Sequence, residues 1–120
     1  MLQISDFKVG QKAYILYNNQ GYNRNPEIFE TTVTKVGKRY VTVSKAGKRF
    51  KRHGNIEGLL EHSEFGELGI LFNIKESAET EKKRIILLHN VRTYSNYLYK
   101  CTYEELRTIM DILKAADRRS

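Results

Sequence analysis

Through the first half of the chain, apolar positions recur at short range and are cut about every ten residues by turn formers, the pattern of a β-meander. Val9 to Tyr17 is apolar and aromatic, opens at Gly10, closes at Asn18, Asn19, Gln20 and Gly21, and reads as a first strand. A loop with Tyr22, Asn23, Arg24, Asn25 and the only proline, Pro26, leads into a threonine-rich second strand over 28–36. Gly37 and Lys38 turn the chain, 39–44 alternates Tyr40 and Thr42 against Val41 and Val43, Ala46 and Gly47 turn it again, and 49–53 extends outward. Residues 54–67 carry glycines at 54, 58 and 66 and glutamates at 57, 61, 64 and 67, an irregular acidic connection with room for short strand pieces. Leu68 to Phe72 then supplies a fifth strand. Closure into a barrel is expected, because a short twisted meander otherwise leaves two exposed edges.

Beyond Phe72 the period changes. Asn73 followed by Glu76 has capping-box spacing, and Ala78 to Lys83 is rich in helix formers. Residues 84–91 read as a buried strand or a continuing helix. The stripes Ile85, Leu88, Arg92 and Leu87, Val91, Tyr94 favour the helix. Thr102 and Glu105 form a second capping box, with Leu106, Ile109, Met110 and Leu113 at helical spacing behind it. The expected class is therefore α+β: a small antiparallel barrel of about five strands over 1–72, followed by two helices over 73–120 that pack on it within one domain.

Charge changes the picture more than composition does. The 120 residues carry a net +7, unevenly spread. Residues 1–53 hold eleven Lys and Arg against three Asp and Glu, 54–81 hold one against seven, and 82–120 hold nine against four. Such a basic, acidic, basic layout steers a molecule toward a polyanion or an acidic protein surface. The lone Cys101 excludes an internal disulfide and fits a reducing compartment. With no signal-like start and no apolar run near the roughly 20 residues that span a bilayer, a cytoplasmic chain without membrane contact is expected.

The basic residues are ordered as well as numerous. Val36, Gly37, Lys38, Arg39, Tyr40 echoes in Ala46, Gly47, Lys48, Arg49, Phe50, ten positions later. Cations beside aromatics suit a phosphate backbone and an unstacked base. The bland alternative is two hairpin turns with charges that blunt a sheet edge. Lys45, Lys48, Arg49, Lys51, Arg52 and His53 fall within nine residues, more than edge protection requires. A third strand over 39–44 would hold the two turns roughly 15–20 Å apart, so that only an extended ligand reaches both. The candidate nucleic-acid contacts are Lys35, Lys38, Arg39, Tyr40, Lys45, Lys48, Arg49, Lys51 and Arg52, with Tyr22 and Arg24 as accessories. The alternative surface is a protein-binding one, built from Glu57, Glu61, Glu64 and Glu67 or from the loop tyrosines Tyr94, Tyr97 and Tyr99, although aromatic loops pack as staples under a helix pair more often than they grip a ligand.

Catalytic chemistry finds little support. His53, His62 and His89 lack zinc-ligand spacing, so no metal and no cofactor is expected. Arg49 stands where a phosphate-binding loop needs Ser or Thr, and no nucleophile elbow is present.

Phe7, Val9, Gly10, Gln11 leading into a strand, and the threonine-rich hairpin from Val33 to Val43, resemble an SH3-like small barrel. With Leu71, Phe72, Asn73 and the Thr102, Leu106, Ile109, Leu113 helix added, the chain is similar to small barrel-plus-helices proteins of bacteriophages and mobile elements. That resemblance implies stoichiometric binding, including interference with a host defence nuclease, and carries over no functional residues. The expectation is a non-catalytic protein that binds nucleic acid or a ribonucleoprotein through its basic meander, the alternative being a protein-binding inhibitor or scaffold.

Overall fold

Alternating side chains in the first half do form strands: β1 (Lys12–Tyr17), β2 (Glu27–Val36), β3 (Val41–Val43), β4 (Arg49–Lys51), β5 (Leu59–Glu61) and β6 (Gly69–Phe72). The structure is a computed structural model and describes residues 2–17, 25–63 and 69–119. Each strand pairs antiparallel with the next, and β6 returns to β1, with Ile15 opposite Leu71, to close the barrel. Closure leaves no unpaired sheet edge. Six strands replace the expected five: Leu59–Glu61 pairs with both β4 and β6 inside the segment whose Gly and Glu content reads as irregular.

The barrel interior is packed by Phe7, Ala13, Ile15, Tyr17, Val33, Val41, Val43, Phe50, Leu59 and Leu71. On β1 the alternation stops at its end, where Ile15, Leu16 and Tyr17 are all buried. Both faces are covered there: Ile15 and Tyr17 point into the barrel, while Leu16 joins Phe72 and Ala78 under the start of α1 (Lys75–Tyr94), with Ile85 packed against them. Gly58 is required for this closure, since a Cβ there would meet Ile70 Cγ2 and lie 2.7 Å from the Leu71 carbonyl oxygen.

Two elements differ from expectation. β3 has three residues rather than six, because Lys45–Gly47 forms a 3-10 turn with Ala46 at φ 55°. At the start of α1, the Ala78 N–H donates to the Ile74 carbonyl, so Ile74 rather than Asn73 holds the cap position. The ambiguous 84–91 stretch is helical.

By its contacts the chain divides into two compact units, Met1–Ile86 and Leu87–Ser120, with the boundary inside α1. In the second unit the end of α1 runs into a 3-10 helix (Ser95–Lys100) and then α2 (Tyr103–Asp117). The predicted α2 cap is present: the Glu105 N–H donates to Thr102 Oγ1 at 3.2 Å, and the Thr102 N–H to Glu105 Oε1 at 2.9 Å. Hydrogen bonds from the Thr102 backbone N–H and from its side chain hold the Glu105 carboxyl below its ordinary pKa. α2 is amphipathic, yet none of its residues is buried: Leu106 is 42% and Leu113 58% exposed.

Candidate nucleic-acid interface

The outward positions of β2, β3 and β4 fall into register as cross-strand rows. Lys35 is opposite Thr42, Thr42 is opposite Arg49, and the Arg49 carbonyl accepts from the His62 N–H at 2.8 Å. At about 4.8 Å per strand, the row Lys35, Thr42, Arg49, His62 covers about 14 Å of sheet. One pleat further, Lys51 sits opposite Leu60. Inward positions between these rows, Val41 and Phe50, belong to the core, so backbone alternation aims the basic set at solvent.

Tyr40 is the aromatic of this face. The Arg49 guanidinium carbon lies 4.9 Å from its ring centroid, and the His62 ring 5.2 Å away on centroids. Tyr40 belongs to the first echo of the repeated motif and Arg49 to the second. The pairing of β3 with β4 brings these two side chains into contact across the ladder. Lys38 and Arg39 are exposed in the turn between β2 and β3. Among the described residues, no ion pair involves Lys35, Lys38, Arg39, Arg49 or Lys51, and no carboxylate stands in the rows.

Other predicted cations are engaged elsewhere. Lys48 Nζ lies 3.2 Å from the buried carboxylate of Glu61 and 4.9 Å from the Tyr17 ring centroid, and the Tyr17 hydroxyl donates to the same carboxylate at 3.3 Å. Burial pushes the Tyr17 hydroxyl above its ordinary pKa. For Lys48, burial opposes the charge, but hydrogen bonds to Tyr17 and Glu61 outweigh it and raise the pKa. Lys45 Nζ stands 3.7 Å over the Phe29 ring centroid. Arg52 is a strut: Nη1 donates to the Leu2 carbonyl at 2.9 Å, and Nη2 donates to the carbonyls of Gly54 and Ile56, tying the amino-terminal segment to the turn before β5. Of the accessory candidates, Tyr22 and Arg24 lie outside the described residues.

The acidic alternative is divided in the same way. Glu61 faces Lys48 rather than solvent, Glu57 is exposed and lines a shallow cleft with Glu81 and Arg84, and Glu64 and Glu67 lie outside the described residues. Tyr94, Tyr97 and Tyr99 are 70%, 52% and 79% exposed, so they do not act as packing staples. Lys100 Nζ lies 5.3 Å from the Tyr97 centroid and 5.9 Å from that of Tyr99. His62 is the residue of the basic face that sequence reasoning passes over, because its place beside Tyr40 depends on the pairing of β5, which the local pattern hides. Among the described residues no three His, Cys, Asp or Glu side chains gather as a metal site, and no helix is long and apolar enough to cross a membrane.

Comparison with known protein families matches residues 1–119 to one family, the phage ProQ C-terminal-like domain. Neither the curated proteins nor the solved structures contain a match to the chain. The match spans the barrel and both helices, and it agrees with the phage resemblance that the order of elements carries. The chain belongs to the phage ProQ C-terminal-like domain family.

Proposed function

We propose that this chain is a non-catalytic nucleic-acid-binding protein whose contact surface is the outer face of β2, β3 and β4. The observation that carries the reading is the pair of cross-strand rows that hold Lys35, Arg49, Lys51 and His62 with no carboxylate among them, where Arg49 and His62 flank the Tyr40 ring. Lys35, Arg49 and Lys51, with Lys38 and Arg39 at the turn, neutralise phosphates and release their counterions. Tyr40 offers a ring to one unstacked base. Charge and stacking of this kind serve any base sequence. Membership of a phage ProQ-like family is compatible with this role. In a phage setting such a module acts by stoichiometric binding, including by covering the guide or target strand of a host defence nuclease.

A specific observation also keeps a protein partner in view: the exposure of Tyr94, Tyr97 and Tyr99 in the second unit. Salt separates the two. With about four phosphates neutralised, single-strand affinity falls roughly 50-fold between 50 and 200 mM salt, whereas an apolar protein interface responds little. Fluorescence anisotropy with single-stranded and duplex RNA and DNA at the two salt concentrations reads this out. The expected result is salt-sensitive binding that Lys35→Glu with Arg49→Glu removes. Binding that ignores salt would overturn the proposal.

A further inference from the structure

The row Lys35, Thr42, Arg49, His62 ends on a histidine. Of the side-chain types in the two rows, only imidazole ordinarily changes its charge between about pH 5 and 8. His62 is exposed, and the barrel fixes its place. Its backbone N–H donates to the Arg49 carbonyl at 2.8 Å, which sets the two side chains next to each other on the outer face. Its ring lies 5.2 Å from the Tyr40 ring on centroids, and the Arg49 guanidinium carbon lies 4.9 Å from that same Tyr40 centroid.

The groups that face His62 are cationic or neutral. From β4 come Arg49, directly opposite, and Lys51, one pleat along. The turn before β3 supplies Tyr40 and, next to it in sequence, Arg39, while Lys35 stands at the far end of the row. The acidic neighbour in sequence, Glu61, turns inward: its carboxylate lies 3.2 Å from Lys48 Nζ and accepts from the Tyr17 hydroxyl. Among the described residues, no carboxylate forms an ion pair with His62. The counter-charge for a protonated imidazole therefore has to come from the ligand. A phosphate drawn to Arg49 stands against His62 as well, so the bound polyanion favours the charged imidazole. By reciprocity the charged imidazole favours the bound polyanion.

We infer that His62 makes the nucleic-acid contact pH-sensitive, its protonation adding a further cation to the row so that affinity for a single strand rises as pH falls. The inference rests on the nucleic-acid reading of this face. Each phosphate neutralised on a single strand contributes about −0.7 to the slope of log affinity against log salt. One more contact thus strengthens binding roughly fivefold at about 0.1 M salt and steepens the slope by about 0.7.

The test is fluorescence anisotropy of the full chain with a labelled single-stranded RNA, as a salt series at pH about 7.5 and again at about 5.5. Wild type is expected to bind roughly fivefold more tightly at the lower pH, with the steeper slope. His62→Gln should lose this response. His62→Lys, with a charge that does not depend on pH in this range, should bind at the higher pH as tightly as wild type does at the lower. His53→Gln and His89→Gln, which alter the other two histidines, should keep the wild-type response. Salt-sensitive wild-type binding of equal strength at both pH values would overturn the inference and leave the nucleic-acid reading standing. A pH response that survives in His62→Gln would overturn it too. Absence of salt-sensitive binding at either pH would remove the nucleic-acid reading, and the inference with it.

Discussion

The two units are built on opposite terms. In the first, nearly every inward position of six short strands is at or near zero exposure, and even the charged Glu61 is buried against a partner. In the second, residues 87–119 contain no buried side chain, although Leu87, Val91, Leu106, Met110, Ile112 and Leu113 are large and apolar. The barrel satisfies itself. Its strands are too short to stand alone, and closure gives each described strand two neighbours and a core at once. The helical unit keeps its apolar residues at the surface, where a molecule with no use for them would carry polar ones. Stability therefore belongs to the first unit.

Core truncation separates the units most sharply. Phe50→Ala empties a fully buried site and is expected to cost about 3–5 kcal/mol, whereas Leu106→Ala, at 42% exposure, should cost well under about 2 kcal/mol. Thermal denaturation of the two variants measures the contrast, and equal losses would mean that α2 packs as the barrel does. Next in size is Gly58→Ala. The new methyl meets the Leu71 carbonyl and the Ile70 side chain of β6, and overpacking of this kind is expected to cost about 1–3 kcal/mol with α2 helicity unchanged.

A smaller effect comes from the Lys48, Glu61 and Tyr17 group. Lys48 and Tyr17 both have folded pKa values above their unfolded ones. Each therefore contributes stability that is complete below the unfolded value and fades as pH climbs past about 10, since the unfolded chain then gives up its protons more readily than the folded one. Wild type should exceed Glu61→Gln in chemical denaturation at neutral pH, and the gap should narrow above about pH 10. A gap that widened there would show that the Lys48 ion pair is not what the carboxylate supports.

Local chemistry explains which parts were legible. β1, β2 and the α2 cap could be read because their signals lie within a few residues: alternation, β-branched threonines, and Thr102 three positions before Glu105. β5 could not, since Glu61 is an inward strand residue only because Lys48 and Tyr17, far away in the chain, receive its charge. The basic face was legible in composition and illegible in membership. Lys35, Arg49 and Lys51 face solvent, while Arg52, beside Lys51 in sequence, holds the carbonyls of Leu2, Gly54 and Ile56. Neighbouring cations on a strand point to opposite sides, and which side is solvent depends on the barrel's closure.

The claim that the face made by Lys35, Arg49, Lys51 and Tyr40 grips nucleic acid is tested most directly by one titration of single-stranded RNA followed by anisotropy at low and physiological salt. Wild type is compared with Lys35→Glu/Arg49→Glu and with Lys8→Glu, a single charge reversal outside the cross-strand rows. The account predicts salt-sensitive binding for wild type and Lys8→Glu and its loss in the double variant. Equal binding by all three proteins, or no binding at low salt, would contradict it.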